Sequence, residues 1–345
     1  MAIVLAENFK GLGLAAGVNY NTQDPKPYGA CPGVYALITT GATMVGKTDI
    51  INVEVANGKS WLAPYNAGHR VVGPLTSSLG IAVGNSTIVI GARFRAQVPQ
   101  AGIVSAFPVF RLIGTNFIYN VPAGVAEFYA ELVINRETGT VELWIDNKLN
   151  ATWPNLYQGT NLTTLRNNGA DFYFGLGSVA YFMHTDVLII YDAGDDGINT
   201  RTGPVDISSV PLKMVSSQGF NVDALTDVLT RKDYATDSGT RVKGAAGSVP
   251  PELKMTKADG YVLPNDTPVL GTFVVAKSNY TVGQPGDLKV THKRGPSTKE
   301  VTAIQPPVLP VLPNLLMGVS SRSAAEQTAA TAMDGLEISL KVADR

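Results

Sequence analysis

The stretch Ala126–Lys148, AEFYAELVINRETGTVELWIDNK, decides the fold. Its first arm sends Phe128, Ala130, Leu132 and Ile134 to one side, and its second arm sends Val141, Leu143 and Ile145 to that same side. Alternation with period two marks an extended chain with one buried face; a helix would scatter these residues around its circumference. Between the arms, Arg136 to Gly139 is a short polar loop ending in glycine, which takes a positive φ without steric cost. The stretch predicts a β-hairpin.

The same period recurs on either side. In STIVIGARFRAQV, Ile88, Ile90, Ala92, Phe94, Ala96 and Val98 share one face, with Thr87, Arg93, Arg95 and Gln97 on the other. Ile51, Val53 and Val55 alternate ahead of an Asn57-Gly58 turn, and DFYFGLG adds a further extended run. DVLIIYD holds an unbroken apolar run, which suits a strand covered on both faces. Strands punctuated by turns in this way predict a sandwich with Greek-key connections, not βαβ units.

With 345 residues the chain exceeds one ordinary core, so two domains are expected. The texture changes after Lys213, where VSSQGF and TRKDYATDSGTRVKGAAGSVPPE are polar, glycine-rich and weakly patterned. The boundaries that follow are a first domain over 1–213, a linker over 214–262 and a smaller β domain over 263–345. Within the linker, 222–229 suits either a short helix or an extended chain. Strands resume at Thr272 to Lys277, in DLKVTHKR and in GLEISLKV, where Leu336, Ile338, Leu340 and Val342 alternate with Glu337, Ser339 and Lys341. The four prolines of QPPVLPVLPN predict a polyproline-like surface connection.

Lys+Arg total 27 against Asp+Glu 28, so no field of one sign draws the chain to nucleic acid or to an anionic membrane. Charged residues are only 16%, while Gly reaches 35 and Pro 21, as in a turn-rich β protein partly covered by neighbouring subunits. Trp61, Trp144 and Trp153 are expected as exposed aromatics suited to such burial. A lone Cys31 forms no intrachain disulfide, which points to synthesis in a cytoplasm. The start MAIVLAENFK lacks a basic region and a cleavage site, so no signal peptide or membrane insertion is expected.

GATMVGKT, with Gly41, Gly46, Lys47 and Thr48, matches the P-loop pattern letter for letter. Phosphate capture there needs a helix opening at Lys47 and Thr48. DIINVEV follows instead and alternates as a strand, so the match is judged a coincidence and no nucleotide site is assigned. Asp192, Asp195 and Asp196, beside Gly194 and Gly197, form an acidic turn and a candidate calcium loop, although the EF-hand spacing is absent. Calcium is the one candidate cofactor. His69, His184 and His292 have no second His or Cys at zinc-ligand spacing.

Glu142 and Asp146 share a face with Trp144 between them, on a hairpin arm where Glu127, Glu131 and Glu142 read as solvent-facing or interface charges. An exposed Trp144 beside Asp146 and Asn147 is a candidate sugar platform, since aromatic faces suit the CH groups of a pyranose. No G-x-S-x-G elbow seats a nucleophile, and no catalytic residue is assigned. His292-Lys293-Arg294 with Lys299 makes a small basic patch without nearby aromatics to stack on bases.

Three segments resemble jelly-roll proteins that are structural components of tailed-bacteriophage virions. VINRETGTVELWIDNKL is similar to the lectin-type and laminin-G-type hairpin, and DVLIIYDAGDDGINTRTGPVDISSVPLKM resembles the last strand and return of that sandwich. VLGTFVVAKSNYTVGQPGDLKVTHKRG with TAMDGLEISLKV resembles the smaller β domain that closes such chains. Where those proteins carry a Leu-Gly-Asp return, this chain has Gly203-Pro204-Val205-Asp206, and where they carry Pro-Trp-Thr it has Gln327 and Thr328. The resemblance implies an all-β fold: a concanavalin-A-like jelly-roll sandwich, then a smaller β-sandwich-like domain. It also implies a non-enzymatic virion component, such as a capsid decoration, neck, tail or fibre-associated protein. Its partners would be other virion proteins and copies of itself. A carbohydrate-binding module for a host-surface glycan is the alternative.

Overall fold

A computed structural model describes residues 2–8, 19–21, 36–37, 50–56, 59–64, 71–74, 87–96, 105–167, 171–174, 182–191, 201–223, 225, 243–244, 250–263, 268–277, 287–295, 297–303, 314–320, 333 and 335–343. The early strands are β1 (Ala2–Glu7), β2 (Asn19–Asn21), β3 (Ala36–Leu37), β4 (Ile50–Ala56), β5 (Lys59–Pro64) and β6 (Val71–Pro74). Next come β7 (Thr87–Ala96), β8 (Ser105–Leu112), β9 (Thr115–Val121), β10 (Glu127–Asn135), β11 (Thr140–Ile145) and β12 (Lys148–Trp153). After helix α1 (Gly159–Asn167) follow β13 (Asp171–Phe174), β14 (Phe182–Tyr191), β15 (Leu212–Gln218), β16 (Phe220–Asn221), β17 (Lys243–Gly244) and β18 (Glu252–Lys257). The last are β19 (Gly271–Lys277), β20 (Asp287–Arg294), β21 (Ser297–Ala303), β22 (Asn314–Ser320) and β23 (Glu337–Ala343).

These strands build a nine-stranded sheet in the order β12-β11-β10-β7-β14-β5-β4-β2, with β1 also on β14, and a five-stranded sheet in the order β3-β6-β13-β8-β9. A second five-stranded sheet, β15-β18-β23-β20-β21, and the pairs β16-β17 and β19-β22 complete the described set. Every described pairing is antiparallel. The expected all-β sandwich, with a smaller β unit after it, is what the structure has.

The hairpin forms as its alternation requires. Ala130 faces Ile145, Leu132 faces Leu143 and Ile134 faces Val141. These residues, with Phe128 and with Ile88, Ile90, Ala92 and Phe94 of β7, line one side of a single core. Phe107, Val109, Phe110, Leu112, Phe117 and Val121 from the facing sheet fill the other side. Phe94 sits at its centre, stacked on Phe128 and edge-on to Phe107 and Phe110. Two sheets sharing one apolar layer is the geometry of a sandwich.

The expectation that β14 is covered on both faces also holds. Val187 and Ile189 point into the main core. Leu188 and Ile190 join Val89 and Val133 in a second apolar cluster on the sheet's opposite face. Phe273 of β19 packs against that cluster, and β1 runs beside β19 and β22, so the smaller unit docks on the outer face of the large sheet.

Three expectations need correction. The segment assigned as linker contributes strands: β15 and β18 belong to the second five-stranded sheet, and Leu253 and Met255 lie in its core. The polar letters of that stretch hid this role, because β15 is an edge strand with almost every residue exposed. Trp61 is not an exposed aromatic; it is fully buried, with the Arg95 guanidinium over its ring, while Trp153 packs edge-on to Phe117. Arg136, expected in a polar loop, is buried and donates to the Arg166 carbonyl at the end of α1, where a cation suits the helix dipole. Arg166 in turn donates to the Arg136 and Glu137 carbonyls, so helix and hairpin loop hold each other.

Gly139 closes that loop at φ 73°, and a Cβ there would meet the Tyr157 carbonyl oxygen at 1.9 Å. Gly139→Ala should therefore cost about 2 kcal/mol or more, read as a lower midpoint in urea unfolding. His184 lies buried beside Phe94, and burial pushes its pKa from 6.5 down to about 3. Between those values the unfolded chain holds a proton that the folded core refuses. Stability is then fully present above the unfolded value and falls as pH falls, by about 1.4 kcal/mol per pH unit. Urea midpoints of wild type and His184→Leu at about pH 7 and about pH 4 should show a smaller acid loss in the variant.

Candidate functional site

The chain leaving the first domain, 201–209, crosses the outer face of the large sheet as a strap. On that face Glu131 of β10 lies opposite Trp144 of β11, and Tyr129 lies opposite Arg93 of β7. Glu131 is 1% exposed, not the solvent-facing charge that alternation suggests. The strap buries it. Its carboxylate accepts from Arg201 Nε at 3.1 Å, from Thr202 N at 3.1 Å, from Thr202 Oγ1 at 3.2 Å and from Gly203 N at 3.0 Å. Moving a carboxylate out of water costs several kcal/mol, and a set of charge-assisted bonds of this size offsets that cost.

The candidate sugar residues are caught in the same arrangement. Asp146 and Asn147 form the two-residue turn joining β11 to β12, with φ 45° and 68°, the doubly positive geometry of a type I′ hairpin. Asp146 Oδ1 accepts from the Tyr129 backbone N–H at 2.8 Å, and its own N–H donates to the Tyr129 carbonyl. Asn147 Oδ1 accepts from Arg201 at 2.7 Å. The Arg201 guanidinium lies 3.7 Å from the centroid of the half-buried Trp144 ring, whose Nε1 donates to Glu142 at 2.8 Å. One face of that indole is therefore covered by a cation, a contact worth about 1 kcal/mol. Gly203 permits the close approach: its φ is 71°, and a Cβ would fall 2.4 Å from Asn147 Oδ1.

Further along, the strap meets a second buried carboxylate. Asp186 is fully buried at a bulge in β14, with φ 49° and a register shift between Thr185 and Leu188. The side of β14 away from β7 is shared, with His184 opposite Leu62 of β5 and Val187 opposite Glu7 of β1, and the bulge lies where one neighbour gives way to the other. Asp186 accepts from Lys59 at 2.5 Å, from Arg93 Nε at 3.3 Å and from the Ile207 N–H at 3.2 Å. Lys59 and Arg93 also reach Asp206, at 2.6 and 3.2 Å, and the Lys59 bond holds that carboxyl below its ordinary pKa. Asn8 closes the line by donating to the Ile207 carbonyl and to Ser209. Beneath the strap, Tyr129 packs over Gly91, where a Cβ would meet its hydroxyl, and burial pushes that hydroxyl well above the usual phenol value.

Asp192, Asp195 and Asp196, and the glycine-rich Gly41, Gly46, Lys47 and Thr48, lie outside the described residues. Ile50–Ala56 form strand β4, as the alternation of Ile51, Val53 and Val55 predicts. Among the described residues no cluster of three His, Cys, Asp or Glu could hold a metal ion, and no helix is long and apolar enough to cross a membrane. His292 is buried at 2.8 Å from Thr272 Oγ1, tying β20 to β19 rather than presenting a basic patch. The strap network itself was not anticipated. Its signal was a charge inside an otherwise apolar strand: Glu131 in AEFYAELVIN and Asp186 in HTDVLIIY.

No protein-family model matches the chain, and no curated protein does. Among solved structures, the chain is similar to a Trypanosoma rangeli sialidase at 12% identity, covering 41% of this chain and 27% of that one, with a TM-score of 0.28. It is also similar to an endo-1,3-β-glucanase from Streptomyces sioyaensis (12% identity, 55% of this chain, 95% of that one, TM-score 0.28). A third is a tandem CBM22 domain from Paenibacillus barcinonensis (10% identity, 99% and 90%, TM-score 0.25). At these scores the likenesses carry no functional argument, and the fold rests on its own registers and core.

Glu131→Ala should cost about 3 kcal/mol, since it leaves the Arg201 guanidinium and two strap N–H groups without their acceptor. Hydrogen exchange is the discriminating measurement: the Thr202 and Gly203 amides should lose protection while the β7 and β10 amides keep theirs. Unchanged exchange at both strap amides would show that the carboxylate does not anchor the strap.

Proposed function

We propose that the chain is a non-enzymatic structural component of a tailed-phage particle, working through repeated protein-protein contacts. The observation that supports this reading is the use made of the charged groups on the large sheet's outer face. Glu131, Arg201, Lys59, Arg93, Asp186 and Asp206 are all engaged with one another or with strap backbone, and so pin the strap to the sheet. Groups committed to internal ties contribute rigidity, and a rigid sandwich with a docked second unit is a suitable part for a particle built from many copies. The phage setting comes from the resemblance of the hairpin, the return and the closing β segment to such virion proteins.

Mass spectrometry of particles purified from cells carrying the gene in its native genome tests the reading. The chain is expected in every preparation, at many copies per particle; its consistent absence would overturn the proposal. A glycan array run on the same chain addresses the carbohydrate alternative. Saturable binding lost in Trp144→Ala would favour that alternative, against the expected lack of Trp144-dependent signal under Arg201.

A further inference from the structure

We infer that the β15 edge of the second five-stranded sheet is a contact surface for a second copy of this chain, joined antiparallel across a two-fold axis. The inference rests on the contact-based reading of function and names the surface that would make one of those contacts.

The apolar row through the middle of this sheet runs Met214, Met255, Ile338 and His292, each facing the next across a strand pair. Met255, Ile338 and His292 are buried, but Met214 at the end of the row is 43% exposed. The core thus continues into a strand that nothing described covers. From Lys213 to Gln218 every residue of β15 is exposed, whereas β18 beside it alternates between buried and half-buried. Among the described residues β18 is the only strand hydrogen-bonded to β15, and no described strand pairs with its other edge, whose residues are exposed. Of the five large hydrophobic residues exposed in the described chain, Met214 and Val215 lie side by side on this strand.

Natural edges are guarded against pairing by charge. The opposite edge of the same sheet, β21, carries Lys299 and Glu300, and β22 runs beside it. The sole charge on β15, Lys213, is drawn to Asp259 at 2.5 Å. A two-fold centred between Met214 and Val215 sets Met214 of each copy against Val215 of the other, and Lys213 against Ser216. Two apolar pairs form and no like charges oppose, so the strand is complementary to itself in this direction. The register shift between Met214 and Ser216 keeps the regular part of the edge short. One such contact is therefore weak, and it gains strength when many copies are held together.

Sedimentation velocity on the full chain over a concentration series tests this. Wild type should dimerise with a dissociation constant of roughly 100 μM. Met214→Lys and Val215→Lys should each weaken dimerisation at least about tenfold, because they place two like charges at the axis. Neither exposed change should alter the circular-dichroism spectrum or the thermal midpoint. In parallel, exchange of the β15 amides of wild type should slow as concentration rises. Dimers that persist in both variants, with β15 exchange independent of concentration, would show that copies meet elsewhere and overturn the edge while leaving the contact-based reading intact. A wild-type chain that stays monomeric up to about 1 mM also overturns the edge, and the particle composition judges the parent reading separately.

Discussion

Two carboxylates buried on the outer face of the central sheet, Glu131 and Asp186, constrain the rest of the molecule. A buried carboxylate has to be matched by donors, and here the donors come from a piece of chain 70 residues or so beyond Glu131 and from β5 and β7. Satisfying them draws the strap across the sheet. Once the strap is down, Val205 and Ile207 reach the apolar cluster of Val89, Val133, Leu188 and Ile190, and Phe273 of the second unit closes on the same cluster. Polar anchoring sets where the chain runs, and apolar burial then supplies the larger share of the stabilisation, at about 25 cal/mol for each Å² removed from water.

Much of the fold was legible in the letters because period-two alternation has few other meanings. Phe128, Ala130, Leu132 and Ile134 were assigned to one face by pattern and lie in one core, and the unbroken run of β14 did mark a strand buried on both sides. The strand expected from the alternation of Ile51, Val53 and Val55 also forms, as β4. What failed has one physical source. Alternation tells which residues share a face but not what later chain will lie on that face. Glu131 looked solvent-facing because the strap that covers it is far away in sequence, and Trp61 looked exposed although the Arg95 guanidinium of a later strand lies over its ring. The β15 strand erred in the opposite sense: its polar letters read as linker because an edge strand does not need a buried face.

The candidate sugar residues show how far a local pattern can carry a functional expectation. Trp144, Asp146 and Asn147 do come together at one end of the hairpin, as their spacing requires. Their polar and aromatic surfaces, however, are engaged by Tyr129, Glu142 and Arg201. An indole under a guanidinium and a turn closed on its neighbour strand do structural work in this arrangement. Gly203 is the residue that makes it sterically feasible, which gives a reason for the Gly-Pro-Val-Asp return that composition alone could not supply.

The pairing of β1 with β14 bears on how the chain reaches this state. Ala2 meets Tyr191 and Glu7 meets Val187, so β1 has no β14 to pair with until the long stretch of chain between them has been made. Its other neighbours, β19 and β22, arrive later still. During synthesis the apolar AIVLA segment must wait unpaired, and such distant pairings close slowly because the intervening loop loses entropy first. The nine-stranded sheet is thus completed late, from both ends of its sequence, and the nascent chain passes through a period when a sticky strand and the open flank of β14 are both unprotected.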